Sequence, residues 1–235
     1  MLFPVCMTSI VSCAGDREDW CVVSTEHEKQ AAAEAAALLV EDGMRVGLGT
    51  GTTVSYLLPA LARRGLSLRC VATSERTAQH ASELGLSVEP FSTFDALDIA
   101  IDGADQVAPD CWLIKGGGGA HTREKIVARA AARFVVIVDS TKPVPCLHPP
   151  VPVELLQFGQ PAIMRELGDV TLREAPPSPD GGAIADYNAP FEDPAALAAR
   201  LSATPGVICH GLFEPSLVSQ ILIGRGGEVE QVQPR

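Results

Sequence analysis

The sequence predicts an α/β protein with a doubly wound, mainly parallel sheet, and three observations predict it. Short apolar runs alternate with segments of helical spacing along most of the chain. The runs are apolar throughout, as strands covered on both faces require. Glycine- and aspartate-rich segments follow the runs, in the loops where open sheets of this kind place their ligands.

The elements follow in order. Residues 1–15, MLFPVCMTSIVSCAG, are apolar but lack the basic start of a signal peptide, and residues 1–24 are expected to form a loose tail. TEHEKQAAAEAAALLVEDG, residues 25–43, opens on a capping box, Thr25 and Glu28, runs through alanine-rich helix formers and stops at Gly43. The short apolar run MRVGL then predicts a strand. The next helical segment, residues 53–65, carries Pro59 late enough to kink it. LRCVAT, ALDIAID and FVVIVD read as further strands, with ERTAQHASELG and TREKIVARAAAR as the helices between them.

Composition narrows the function. A chain of 235 residues with 46% hydrophobic residues can bury a substantial core. Its net charge of -11 offers no long-range attraction to nucleic acid or to an anionic membrane, so an anionic ligand would need a local cationic cluster. No run reaches the roughly 20 apolar residues of a membrane span. The seven cysteines, Cys6, Cys13, Cys21, Cys70, Cys111, Cys146 and Cys209, are odd in number and scattered, which points to free thiols and a cytoplasmic protein.

Four loops collect the unusual residues, and all four are expected to open on one edge. GLGTGTT, residues 47–53, offers bare backbone and helix-start amides suited to a phosphate. Its spacing fits neither the dinucleotide fingerprint nor a P-loop. DGAD supplies Asp102 and Asp105, which suit a turn, a polyol or a metal. The five histidines are scattered without ligand spacing, so hydroxyl binding or proton shuttling is favoured over metal. LIKGGGGAHTREK places Lys115 before Gly116 to Gly119 and Glu124 one turn into the next helix. That grouping combines a cation, an amide nest and a base, although spacing alone also allows an ordinary exposed Glu124. DSTK brings Lys142.

These motifs, with ATSERT at 72–77 and PVPVELLQFG at 150–159, resemble in order and separation the type A ribose-5-phosphate isomerases. The resemblance covers residues 25–158 closely and the remainder, including PGVICHGLF, more loosely. It implies interconversion of ribose 5-phosphate and ribulose 5-phosphate in the pentose phosphate pathway, with no metal or organic cofactor. Glu124 matches the family's acid/base acting through an enediolate, and Lys115 with Gly116, Gly117 and Gly118 matches the groups that neutralise the enediolate oxygen. Thr50, Gly51, Thr52 and Thr53 match the substrate loop, Asp102, Gly103, Ala104 and Asp105 the hydroxyl-binding acids and their turn, and Lys142 a further substrate lysine.

The resemblance also implies a Rossmann-like catalytic domain, residues 25–149 plus 206–235, a smaller α+β subdomain at 150–205, and a homo-oligomer, commonly a dimer. DPAALAARLSA, residues 193–203, reads as a helix covering that subdomain. The chain departs from the family in three places. Gln106 stands where D-G-A-D-E is usual, removing a negative charge next to Asp105 and so tuning that acid. TGTT replaces the usual T-G-S-T, one hydroxyl for another. Residues 172–188 look shortened and lack the T-D-N-G-N turn.

A non-catalytic sugar-phosphate-sensing module is the alternative. Such a regulator normally carries a basic DNA-binding module, for which the segment before Thr25 is too short and the chain too acidic. A coenzyme A transferase-like enzyme is an analogy of fold alone.

Overall fold

The computed structural model describes residues 17–234, with side chains from Thr25 onward. In chain order the first half comprises α1 (Arg17–Ala37), β1 (Arg45–Leu48), α2 (Thr52–Arg63), β2 (Arg69–Ala72), α3 (Glu75–Glu83), β3 (Ser87–Val88), β4 (Ile99–Asp102), β5 (Gln106–Val107), β6 (Leu113–Ile114), α4 (His121–Ala130) and β7 (Phe134–Asp139). The second half adds β8 (Val151–Leu155), α5 (Gln160–Leu167), β9 (Val170–Leu172), β10 (Ala183–Tyr187), α6 (Pro194–Ala203), β11 (Val207–His210), β12 (Leu212–Phe213), β13 (Gln220–Arg225) and β14 (Glu228–Val232).

The central sheet runs β14-β13-β7-β4-β1-β2-β3. Every neighbouring pair is parallel except β13 with β14. Every residue of β4 and β7 is buried, which is why their sequences are apolar without alternation. Helices α1 and α2 pack on one face against Val46, Leu48, Ile99, Ile101 and Ile137. Leu57, Leu58 and Leu61 of α2 are fully or almost fully buried, each stabilising the fold by about 1.5–3 kcal/mol relative to exposure. On the other face α4 presents Val127 and Ala128 to Phe134, Val136 and Phe213. A second sheet, β11-β8-β10-β9, is antiparallel and packs around Val151, Val153 and Leu155 with residues of α5 and α6.

Several expectations need correction. Helix α1 begins at Arg17, so only residues 1–16 of the expected tail lie outside the described residues, and Cys6 and Cys13 with them. Thr25 therefore sits inside the helix and no capping box forms there. Glu28 is buried and accepts hydrogen bonds from the backbone N–H of Ser140 at 3.0 Å and of Gly226 at 2.9 Å.

The LI run forms a strand outside the central sheet. It is β6, paired antiparallel with β5 and β12 in a three-stranded sheet, because the chain doubles back directly after Asp102 and Leu113 and Ile114 find burial there. Residues 207–210, expected with the main sheet, form β11 and pair with β8.

Candidate active site

Three central strands and the β6 turn deliver the loops singled out by sequence to one place. Residues Thr50 to Thr53, Gly103 to Asp105, Lys115 to Gly118, Glu124 and Lys142 line a single cavity of about 140 Å³. Asp102 lies beneath it. Gly49 explains how β1 and β4 come so close: a Cβ there would sit 2.0 Å from Asp102 Cγ. Next along, Gly51 adopts φ 126° at the start of α2, and no side chain caps the first amides of that helix. Those amides, with the threonine side chains around them, are suited to an anion.

Three charged side chains are buried together. Asp102 Oδ1 accepts hydrogen bonds from the N–H of Thr50 at 3.0 Å and of Gly103 at 2.7 Å. Its Oδ2 lies 2.8 Å from Lys115 Nζ. That ammonium also donates to Gly103 O at 2.5 Å and lies 3.1 Å from Glu124 Oε2. Proximity is not alignment here, and Glu124 Oε2 has no hydrogen bond among the described residues.

With one cation for two carboxylates in a buried site, both carboxyls are pushed toward their protonated forms. Burial and then the Asp102 charge push Glu124 up to about 8, against the pull of Lys115. Burial raises Asp102 as well, opposed by Lys115 and the two backbone amides. Burial works against charge on Lys115, but Asp102 and Glu124 more than offset it and hold the lysine above its ordinary value.

The glycine loop is held from several sides. Asp105 Oδ2 accepts from the Gly117 N–H at 2.8 Å. Gly116, at φ 102°, rests on the ring of His121, where an added Cβ would come 2.7 Å from Nδ1. His121 is fully buried, its ring nitrogens make no geometrically sound hydrogen bond among the described residues, and burial pushes its pKa down to about 3, so it is neutral. Lys142 faces the cavity without an ion pair among the described residues.

Gln106 is held by His148. Its buried amide donates to His148 O and accepts from the His148 N–H, both at 2.9 Å, a pairing that needs a donor and an acceptor at once and that a carboxylate cannot make. Sequence reasoning also missed Arg173, which follows β9 and reaches the glycine loop. No motif marks it, since its meaning depends on the second sheet folding onto the first.

A larger cavity of about 780 Å³ lies between α3 and α4, lined by Val71, Phe91, Ile126 and Val127 among others. It gathers no buried charge, so size and chemistry point to different places, and the chemistry decides. Among the described residues no group of three or more His, Cys, Asp or Glu is placed to hold a metal, and no helix is long and apolar enough to cross a membrane.

Residues 69–228 match the family model described as ribose 5-phosphate isomerase A, or phosphoriboisomerase A. The chain belongs to the ribose 5-phosphate isomerase A family. A ribose-5-phosphate isomerase A of Caulobacter vibrioides is 42% identical over 228 residues, covering 90% of this chain and all of the relative. A crystal structure of the Neisseria gonorrhoeae member of the family superposes with a TM-score of 0.86 at 30% identity, over 90% of this chain and 99% of that one. A D-ribose-5-phosphate isomerase solved in complex with phospho-erythronic acid superposes at 0.83 with 33% identity, over 89% and 99% of the two chains. The mainly parallel sheet is thus the family's fold.

Proposed function

We propose that the chain interconverts ribose 5-phosphate and ribulose 5-phosphate, with Glu124 as the acid/base. The observation that carries this is the buried Glu124 carboxyl, raised to about 8 and lacking a hydrogen bond on Oε2, facing a cavity that also holds Lys115 and the glycine amides. The phosphate sits at the start of α2 against Thr50 to Thr53, with Lys142 beside it. Asp105, which lines the cavity, holds sugar hydroxyls and assists ring opening, while Asp102 beneath it anchors Lys115. In the open aldose, ionised Glu124 takes the proton from C2, and the electron pair moves through C1 onto the carbonyl oxygen. Lys115 and the loop amides meet that charge. The C2 hydroxyl gives up its proton to the C1 oxygen, and Glu124 returns its own proton to C1, leaving the ketose. A sensor has no use for a buried carboxyl raised in this way.

We further place the protein in the cytoplasm as a homo-oligomer, with the β8–β11 sheet as a smaller subdomain. Free Cys70, Cys111, Cys146 and Cys209 are consistent with a reducing compartment.

Proton NMR of ribose 5-phosphate with the purified protein in D2O and a chelator tests the reaction. Ribulose 5-phosphate should appear with solvent deuterium incorporated. Binding without conversion would sink the proposal in favour of a sensor.

A further inference from the structure

We propose that Arg173 is a positioning residue that sets the glycine-loop amides for the charge formed during isomerisation, an inference that rests on the isomerase reading. Arg173 comes from the second sheet, directly after β9, and its N–H is tied to Ile184 O at 2.9 Å. Its guanidinium is clamped by Asp186 of β10, Nε to Oδ2 at 2.7 Å and Nη2 to Oδ1 at 2.6 Å. That bidentate pair leaves Nη1 free to face the loop. It donates to two successive carbonyls, Gly116 O at 3.0 Å and Gly117 O at 2.9 Å.

The consequence follows from peptide geometry. A trans peptide points its carbonyl and the next N–H in opposite directions, so drawing these two carbonyls to Arg173 turns the amides of Gly117 and Gly118 away from it. Both glycines line the cavity. The Gly117 amide already meets an anionic oxygen, Asp105 Oδ2, and Gly118 is open, with only Thr50 Cγ2 near an added Cβ at 3.9 Å. A cationic donor on each carbonyl also polarises its amide and strengthens the N–H as a donor. Because the oxygen's charge is fully formed only along the reaction, the benefit belongs mainly to the transition state and shows in kcat. The second sheet therefore contributes to the chemistry without touching substrate.

Steady-state kinetics of the full chain test this, comparing wild type with Arg173→Met, Arg173→Lys and Asp186→Asn, each with a melting curve. Arg173→Met should lower kcat on the order of 10- to 100-fold with KM within about threefold, as weakening oxyanion donors does. Arg173→Lys should fall between, since a point charge cannot hold both carbonyls and Asp186. Added guanidinium ion should recover part of the Met variant's rate, which a merely structural role would not allow. Should the Met variant fail to fold, the Lys and Asn variants carry the test through the same split between kcat and KM. Unchanged kcat in folded variants beside an active wild type, or an effect confined to KM, overturns the positioning role alone. An inactive wild type overturns the isomerase reading and this inference with it.

Discussion

Two buried glutamates, Glu124 on α4 and Glu154 on β8, carry the same side chain in opposite surroundings. Glu124 is 4% exposed and Glu154, on β8, 1%. Glu154 has a hydroxyl for each oxygen, Ser178 Oγ on Oε1 and Thr122 Oγ1 on Oε2, with Gly182 making room where a Cβ would lie 2.2 Å away. Glu124 has a cation at 3.1 Å, a second carboxylate beyond it and an oxygen without an aligned hydrogen bond among the described residues. Burial alone does not make an acid/base. What differs is completeness: a satisfied carboxylate is held in place, and an unsatisfied one beside a like charge keeps its proton into the range where it can exchange it.

The largest effect expected from this contrast is Glu124→Gln. It should lower turnover by about 10²- to 10⁴-fold or more while leaving substrate binding measurable by calorimetry. Retained activity would move the base elsewhere.

The pH dependence sharpens the comparison. The base must be ionised in the free enzyme, so kcat/KM should rise with pH and level off above about 8. Asp102→Asn removes the neighbouring negative charge, so that limb should move to lower pH. Stability runs the other way. A raised carboxyl pKa stabilises the folded chain fully below the unfolded value of 4.5, and this contribution is lost as pH rises through about 8. In urea titrations Glu124→Gln should remove that decline, and an unaltered decline would assign it to another group.

The smallest catalytic effect belongs to Glu154→Gln, which should leave kcat within about twofold because it removes nothing made only in the transition state. Its cost should appear in stability, about 1–3 kcal/mol for a mispaired buried partner, read from the same titrations.

Much of this was legible in the sequence because local chemistry and tertiary role coincide. Uniformly apolar runs became doubly covered strands. Glycines before acids became loops where backbone meets carboxylate, as Gly49 meets Asp102. What escaped depends on partners far away in the chain. Thr25 and Glu28 have a cap's spacing, but Glu28 is claimed by Ser140 and Gly226. The two-residue β6 is too short for periodicity to place it in a sheet. Gln106 shows its pairing only once His148 is seen across from it. Arg173 has no motif because its targets are backbone carbonyls.

Glu28 has a consequence for how the chain is made. Its two hydrogen-bond partners lie 112 and 198 residues downstream. As the chain leaves the ribosome, α1 can coil early, but this carboxylate stays without its final partners until the β13–β14 turn emerges. The corner of the site nearest the first helix is therefore completed only once the β13–β14 turn is made, because Ser140, in the loop that leads to Lys142, and Gly226 share this one carboxylate.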